Sequence, residues 1–242
     1  MLTRNEEDRV SVSLAEVHDH VHRMIVLDAE SDDATRELAQ KAGAEVVVRP
    51  WEGFVSARRY LLSLVTSPWV LMIDADEVIE PGLWLELESL GFPECSADGF
   101  QMRRRTVYEG KKLRRAFQPD WKMSLVRGGN AYFEDRFVHE SLKVKGVVQR
   151  LRTEILHSSF RSADDHHQRI RTYARLAAQD LAEQGKRVSF TNLWLRPAWR
   201  WFKELILQGG IADGLLGLKM ASRSAYGVHL SYRYLREMND SL

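Results

Sequence analysis

Apolar positions along this chain fall into two rhythms. Val10, Leu14, Val17 and Val21 recur at helical spacing, which predicts an amphipathic helix over residues 6–22. Met24-Ile25-Val26-Leu27 follows as an unbroken apolar run, the pattern of a strand buried on both faces. The alternation then repeats. A helix is predicted over residues 34–42, with Leu38, Ala39 and Ala42 inward, Ser31, Asp32 or Asp33 available as its cap and Gly43 at its end. Val46-Val47-Val48 reads as a strand, and a helix starting near Phe54 buries Leu61, Leu62 and Val65. Trp69-Val70-Leu71-Met72-Ile73 is too short for a membrane span and lacks alternation, so it reads as a central strand in a parallel sheet. Helix and strand in strict alternation predict an α/β fold with right-handed crossovers.

Downstream the pattern loosens. Trp84, Leu85, Leu87 and Leu90 suggest a short helix ending at Gly91, and residues 100–117 alternate around Glu109-Gly110 like a hairpin. Beyond Arg161 the rhythm is helical: a helix over residues 164–184 places Ile170, Tyr173, Leu176, Ala177 and Leu181 on one face, closed by Gly185. The last stretch mixes aromatic and leucine residues with Arg196, Arg200, Lys203, Lys219 and Arg223. The expected division is a catalytic α/β domain over residues 1–160 and a helical extension over residues 161–242.

Composition narrows the class. With 242 residues, 44% hydrophobic and 29% charged, the chain has the make-up of a soluble globular protein with a sizeable core. Cys95 is the single cysteine, which rules out an internal disulfide and fits a reducing compartment. The charged opening MLTRNEEDR argues against a signal peptide, and no apolar run reaches membrane-spanning length. A cytoplasmic protein is expected. The net charge of +1 hides an asymmetry: residues 1–140 hold 18 Lys and Arg against 25 Asp and Glu, residues 141–242 hold 17 against 9. An acidic first part and a basic last part suggest two jobs.

The acid is concentrated where chemistry is expected. Asp74, Asp76 and Glu77 leave the end of the central strand within four positions, where open α/β sheets build ligand sites. Like charges this close call for a compensating cation or donor groups, and hard oxygen ligands suit Mg²⁺ or Mn²⁺ combined with substrate phosphates. The alternative is a solvated acidic turn ahead of a helix. Arg58 lies beside this site, and a guanidinium fork matches diphosphate oxygens; its neighbour Arg59 is better read as answering local acidic charge. Residues 131–142, AYFEDRFVHESL, hold Glu134, Asp135 and Glu140, candidates for a general base, with His139 either an orienting group or a partly buried histidine bonded to backbone. His157 is an isolated candidate ligand. His166 and His167 are adjacent on a helix and point apart, which disfavours a shared metal. Seven Lys or Arg between Arg103 and Arg115 face only Glu109. They read as a solvated strand pair or a contact for an anionic acceptor or lipid; the charge is local, and no nucleic acid is expected as a partner.

The ordered motifs resemble family 2 glycosyltransferases: TRNEE at 3–7, DAESDDAT at 28–35, RPWEGF at 49–54, SARR at 56–59 and DADE at 74–77. RPWEGF followed by DADE is closest to the branch that adds glucose, in β-1,4 linkage, to the inner core of bacterial lipopolysaccharide. The resemblance continues through FEDRFVHESL at 133–142, ILHSSF at 155–160 and GGIADGLLGL at 209–218. It implies the GT-A fold, a Rossmann-like mixed sheet with helices on both faces, followed here by the helical extension. It implies a UDP-sugar donor, with Asp28 accepting from uracil, Thr3 near the same base, Arg58 approaching the nucleotide, Asp74 near the ribose and Asp76 holding Mg²⁺ or Mn²⁺ on the diphosphate. His157 is the candidate second metal ligand. Among the base candidates Glu140 is favoured, with Asp135 second. Glu30 departs from the family's usual glycine in a tight turn, and Arg59 from its usual asparagine.

The function expected is inverting transfer of a hexose, glucose first, from UDP to a lipid-linked saccharide. The enzyme would lie peripheral to the cytoplasmic membrane, its basic aromatic C-terminal third against the anionic surface; the alternative for these helices is packing onto the catalytic domain. The alternative of a non-catalytic relative that binds a nucleotide-sugar or membrane saccharide keeps the same fold. A nucleotidyltransferase would show a glycine-rich basic loop near the N-terminus, and none is present.

Overall fold

In the computed structural model, residues 1–133 and 141–240 are described. They group into two compact units. Met1–Arg104 with Asp120–His157 make the first, and Arg105–Pro119 with Ser158–Leu242 the second.

The first unit opens with β1 (Leu2–Thr3), α1 (Val10–His18), β2 (Ile25–Asp28), α2 (Thr35–Lys41), β3 (Glu45–Val48) and α3 (Phe54–Ser63). β1, β2 and β3 form a parallel sheet in that order, with Leu2 opposite Leu27 and Ile25 opposite Glu45. The helical crossovers form for the reason the periodicity gives: Val10 and Leu14 of α1 and Ala39 of α2 are buried together with Val26. Both helices are shorter than their apolar patterns. Beside the two-residue β1 lies a cavity of about 110 Å³, lined among others by Met1, Met24, Ile25, Val70 and Ile73.

The chain continues through β4 (Trp69–Leu71), β5 (Glu77–Ile79), α4 (Gly82–Ser89), β6 (Gly99–Tyr108), β7 (Lys111–Lys112), β8 (Trp121–Arg127), β9 (Ala131–Phe133), β10 (Leu142–Val144) and β11 (Val148–His157). The second sheet has the order β4-β8-β6-β11-β5, with β7 on β6. Here the expectation of a central parallel strand is corrected. β4 runs antiparallel to β8, with Val70 opposite Val126, and β5 antiparallel to β11. The apolar run is nonetheless covered on both faces. Val70 and Met72 pack with Val126, Phe133 and Leu142, while Ile73 packs with Phe100 and Leu125. Burial on two faces fixes an apolar run but leaves strand direction open.

In the second unit the hairpin appears where it was expected. Glu109 and Gly110 turn it with φ of +49° and +71°, the left-handed pair that matches the twist of the flanking strands. α5 (Ala163–Glu183) begins at Ser162, whose Oγ accepts from the Asp165 N–H at 3.0 Å. Its inward face differs from the expected one: His166, Ala174 and Ala178 are buried, while Tyr173 and Leu176 are exposed. π-helical turns Thr191–Leu195 and Lys203–Leu207 flank α6 (Arg196–Phe202), and α7 (Gly214–Asp240) closes the chain. Gly217 is required near the start of α7, since a Cβ there would lie 1.8 Å from the Gly210 carbonyl oxygen. The Asp213 carboxylate accepts from the backbone N–H groups of Arg114, Arg115 and Ala116 at 2.5, 2.8 and 2.8 Å, and Tyr108 and Leu113 are buried with Met220. His166 stacks on Phe160 at 3.7 Å, and burial pushes its pKa down to about 4, as suits a packing histidine.

Candidate active site

Two groups of polar side chains stand at strand ends in the first unit. The first is built on Asp28, the last residue of β2, which is fully buried. Its carboxylate accepts from the Ser31 N–H at 2.8 Å, from the Ser31 hydroxyl and from Thr3 Oγ1 at 3.2 Å, with Arg36 Nε 3.9 Å away. The parallel register places Thr3 directly beside Asp28, so the Thr3 hydroxyl orients the carboxylate. Three of about four acceptor positions are thus filled by protein donors. Glu30, where the turn departs from glycine, takes φ +55° and points outward, so the tight turn survives the exchange at a strained but accessible conformation.

The second group follows β4. Asp74 receives Arg58 NH2 at 3.1 Å and Lys122 Nζ at 2.8 Å. Burial alone would raise its pKa, but the Lys122 and Arg58 cations outweigh that and hold it well below the usual carboxylate range. Glu77, fully buried, accepts from the Asp74 N–H at 2.9 Å and from the Lys122 ammonium, and Arg104 NH1 stands 3.5 Å from its other oxygen. Arg104 is itself held by Asp120 at 2.7 Å. Antiparallel pairing explains how these cations arrive. Lys122 lies opposite Met102 in the β6–β8 ladder, and Arg104 is two residues on, so both project from one face.

Asp76 takes a different partner. His157 lies opposite Glu77 in the β5–β11 ladder, which brings its Nε2 to 3.2 Å from Asp76 Oδ2, and Arg9 NH1 is 3.9 Å from the same oxygen. Burial again raises the carboxyl pKa, yet the hydrogen bond and charge of His157 leave it below its ordinary value. The structure therefore joins Asp74 to Arg58, Asp76 to His157, and Thr3 to Asp28. Arg59 donates to the Phe133 carbonyl at 3.0 Å. Glu134, Asp135, His139 and Glu140 lie outside the described residues.

Lys122 and Arg9 escape the reading of the sequence, and Arg104 enters it only within the basic run from Arg103 to Arg115. The one signal for Lys122 is a lysine between the apolar Trp121 and Met123 at the start of the strand WKMSLVR. For a divalent ion the donor set is suitable but small. Asp74 is engaged by two cations, which leaves Asp76 and His157 as the pair able to hold metal. Among the described residues, no group of three or more His, Cys, Asp or Glu forms a ligand set.

Residues 1–141 match the family model described as Glycosyl transferase family 2. The chain belongs to this family. Family 2 membership makes it a glycosyltransferase, with the anticipated mixed α/β class of the GT-A fold and a helical C-terminal part. An uncharacterised glycosyltransferase of Rickettsia conorii is 28% identical over 250 aligned positions, covering 98% of this chain and 88% of that protein. The lipopolysaccharide core biosynthesis glycosyltransferase LpsC of Rhizobium meliloti is 26% identical over 200 positions, covering 78% and 72%. Among solved structures, S. aureus TarS 1–349 aligns over 99% of this chain and 90% of its own at 15% identity, with a TM-score of 0.47. Glucosyl-3-phosphoglycerate synthase from Mycobacterium tuberculosis, in complex with Mn²⁺ and UDP-glucose, aligns over 43% and 42% at 24% identity and 0.37.

Proposed function

We propose that this glycosyltransferase moves a hexose, glucose first, from a UDP-sugar to a lipid-linked saccharide such as a lipopolysaccharide core, with inversion at the anomeric carbon. The observation that carries the reading is the asymmetry of the two aspartates: Asp74 is neutralised from within by Arg58 and Lys122, while Asp76 shares its oxygen with His157. Such a site holds one side of a diphosphate with fixed cations and leaves one carboxylate for a metal. LpsC, named for lipopolysaccharide core biosynthesis, supports the choice of acceptor.

The residues take these roles. Asp28, held by Thr3 and Ser31, keeps an acceptor position for the base of the nucleotide. Arg58 meets the nucleotide, and Asp74, fixed by its two cations, stands near the ribose. Asp76 and His157 would hold Mg²⁺ or Mn²⁺, with phosphate oxygens and water completing the shell. That ion, when bound, neutralises charge on the departing diphosphate. Glu140, with Asp135 as second candidate, takes the proton from the acceptor hydroxyl as it attacks the anomeric carbon. The C–O bond to diphosphate breaks as the new one forms, which inverts the centre.

No helix among the described residues is long and apolar enough to cross a membrane, so the lipid-linked acceptor would be met by an enzyme lying against the membrane surface. The test of the donor reading is a screen of nucleotide sugars for metal-dependent thermal stabilisation and slow hydrolysis. UDP-hexoses should raise the melting temperature only with Mn²⁺ or Mg²⁺ present; no response to any uridine nucleotide would overturn it.

A further inference from the structure

The segment from residue 190 to 218 carries an apolar ridge that the packing of the second unit leaves uncovered. Leu195, Trp199, Phe202 and Ile206 are spaced at i, i+4, i+7 and i+11, one stripe of a helix, and each is exposed; Trp199 is 58% exposed and Ile206 44%. The opposite side of the same helix is where Pro197 and Leu205 are buried. After the turn, Ile211 and Leu215 are 65% and 84% exposed. An apolar stripe left exposed along a helix marks a surface that meets a partner.

The charges beside the ridge say which partner. Arg200 and Lys203 each follow a ridge residue by one position and are exposed beside it, while Arg196 is turned to Tyr232 and donates to its hydroxyl. The acids nearby are spent: Glu204 is largely buried and paired to Arg200 at 2.7 Å, and Asp213 is occupied by three backbone N–H groups. A second copy of the chain meeting this face about a two-fold axis would bring Arg200 and Lys203 close to identical cations, with Glu204 already committed to Arg200 and no further carboxylate in residues 195–212 to offset Lys203. Aromatic side chains flanked by cations match instead the boundary between acyl chains and anionic head groups.

We infer that residues 195–218 form the face by which this protein enters the interface of an anionic bilayer, with Trp199 and Phe202 in the acyl boundary and Arg200 and Lys203 at the phosphates. This deepens the reading of a membrane-borne acceptor given above and assigns the surface that meets it.

The test is cosedimentation of the full chain with vesicles of phosphatidylglycerol and phosphatidylcholine, and with phosphatidylcholine alone. The wild type should bind anionic vesicles strongly, neutral ones weakly, and be released only in part by salt. Arg200→Gln with Lys203→Gln should weaken binding to anionic vesicles roughly 25-fold, at about fivefold for each cation, and leave neutral binding unchanged. Trp199→Ser with Phe202→Ser should weaken binding to both lipids by about tenfold or more, at every salt concentration. Trp199, Phe202 and Lys203 are exposed, so their variants should melt like the wild type; Arg200→Gln also removes the partner of Glu204, so Lys203→Gln alone, expected to weaken anionic binding about fivefold, reads the charge without that loss. A wild type that stays in the supernatant at low salt overturns the inference, as does wild-type binding by both double variants. Loss of a dimer in sedimentation velocity, with no vesicle binding, would mark a contact between copies and overturn it too. Donor binding measured by calorimetry without lipid is independent, so failure of the membrane face and failure of the donor site are told apart.

Discussion

The Lys122 ammonium lies 2.8 Å from Asp74 Oδ2 across 48 residues of sequence, and the same ammonium bonds the fully buried Glu77. One side chain thus fixes two of the three carboxylates at the end of β4. Removing it leaves both acids in a site with little water, where breaking a buried ion pair costs about 3–5 kcal/mol.

Lys122→Met is expected to lower stability by that amount near neutral pH, measured by denaturant unfolding. The pH dependence has a definite sign. Asp74 is held well below its ordinary 3.8, so the stabilisation it draws from Lys122 is present above about pH 4 and lost as pH falls further. Burial alone would lower the Lys122 pKa, but Glu77 and Asp74 raise it above 10.5, so its share is present below that pH and fades as pH climbs past it. The gap between wild type and variant should be widest from about pH 5 to 10 and narrow on both sides.

Asp76→Asn removes charge without volume from the carboxylate that faces His157. Calorimetry should show UDP-sugar binding that no longer responds to Mn²⁺, on a chain that melts like the wild type. Unchanged affinity in the presence of Mn²⁺ would remove Asp76 from the metal.

Glu140→Gln should slow transfer by about 10²–10⁴-fold, the usual scale for a general base, with donor affinity nearly preserved. Steady-state kinetics beside donor titration separate the two effects. Should Asp135→Asn be the dead variant and Glu140→Gln the active one, the base is Asp135.

Thr3→Val keeps the shape of a buried side chain and removes one donor to Asp28. The cost should be about 1–3 kcal/mol in thermal unfolding. Affinity for UDP should fall as well, because the carboxylate loses one of the groups that orient it.

Much of this arrangement is legible in the residues, and what is not has physical causes. The acids at the end of β4, Asp28 at the end of β2 and the Glu109-Gly110 turn follow from local pattern. Strand direction does not: the run at 69–73 is apolar because both faces are covered, and its partner, β8, lies some fifty residues on. Lys122 reaches the acids on β8 itself and Arg104 through the β6–β8 ladder, so no local spacing announces them. The inward face of α5 departs from its apolar pattern because burial there follows small size and not apolarity. Ala174 and Ala178 sit inside where α7 approaches closely, to the point that a Cβ on Gly227 would touch Ile170 at 3.5 Å, and the larger Tyr173 and Leu176 are turned out.

β6 begins in one unit and ends in the other, so the second unit is written in two separate passages of the gene. A fusion or transplant that carries only residues from 158 onward takes the helices and leaves their hairpin behind. Asp213 then keeps a carboxylate without the three N–H groups it now accepts from, and Met220 faces the space where Tyr108 and Leu113 pack. Engineering this part as a portable module requires splicing residues 105–119 back beside it, since its modularity lies in space and not along the reading frame.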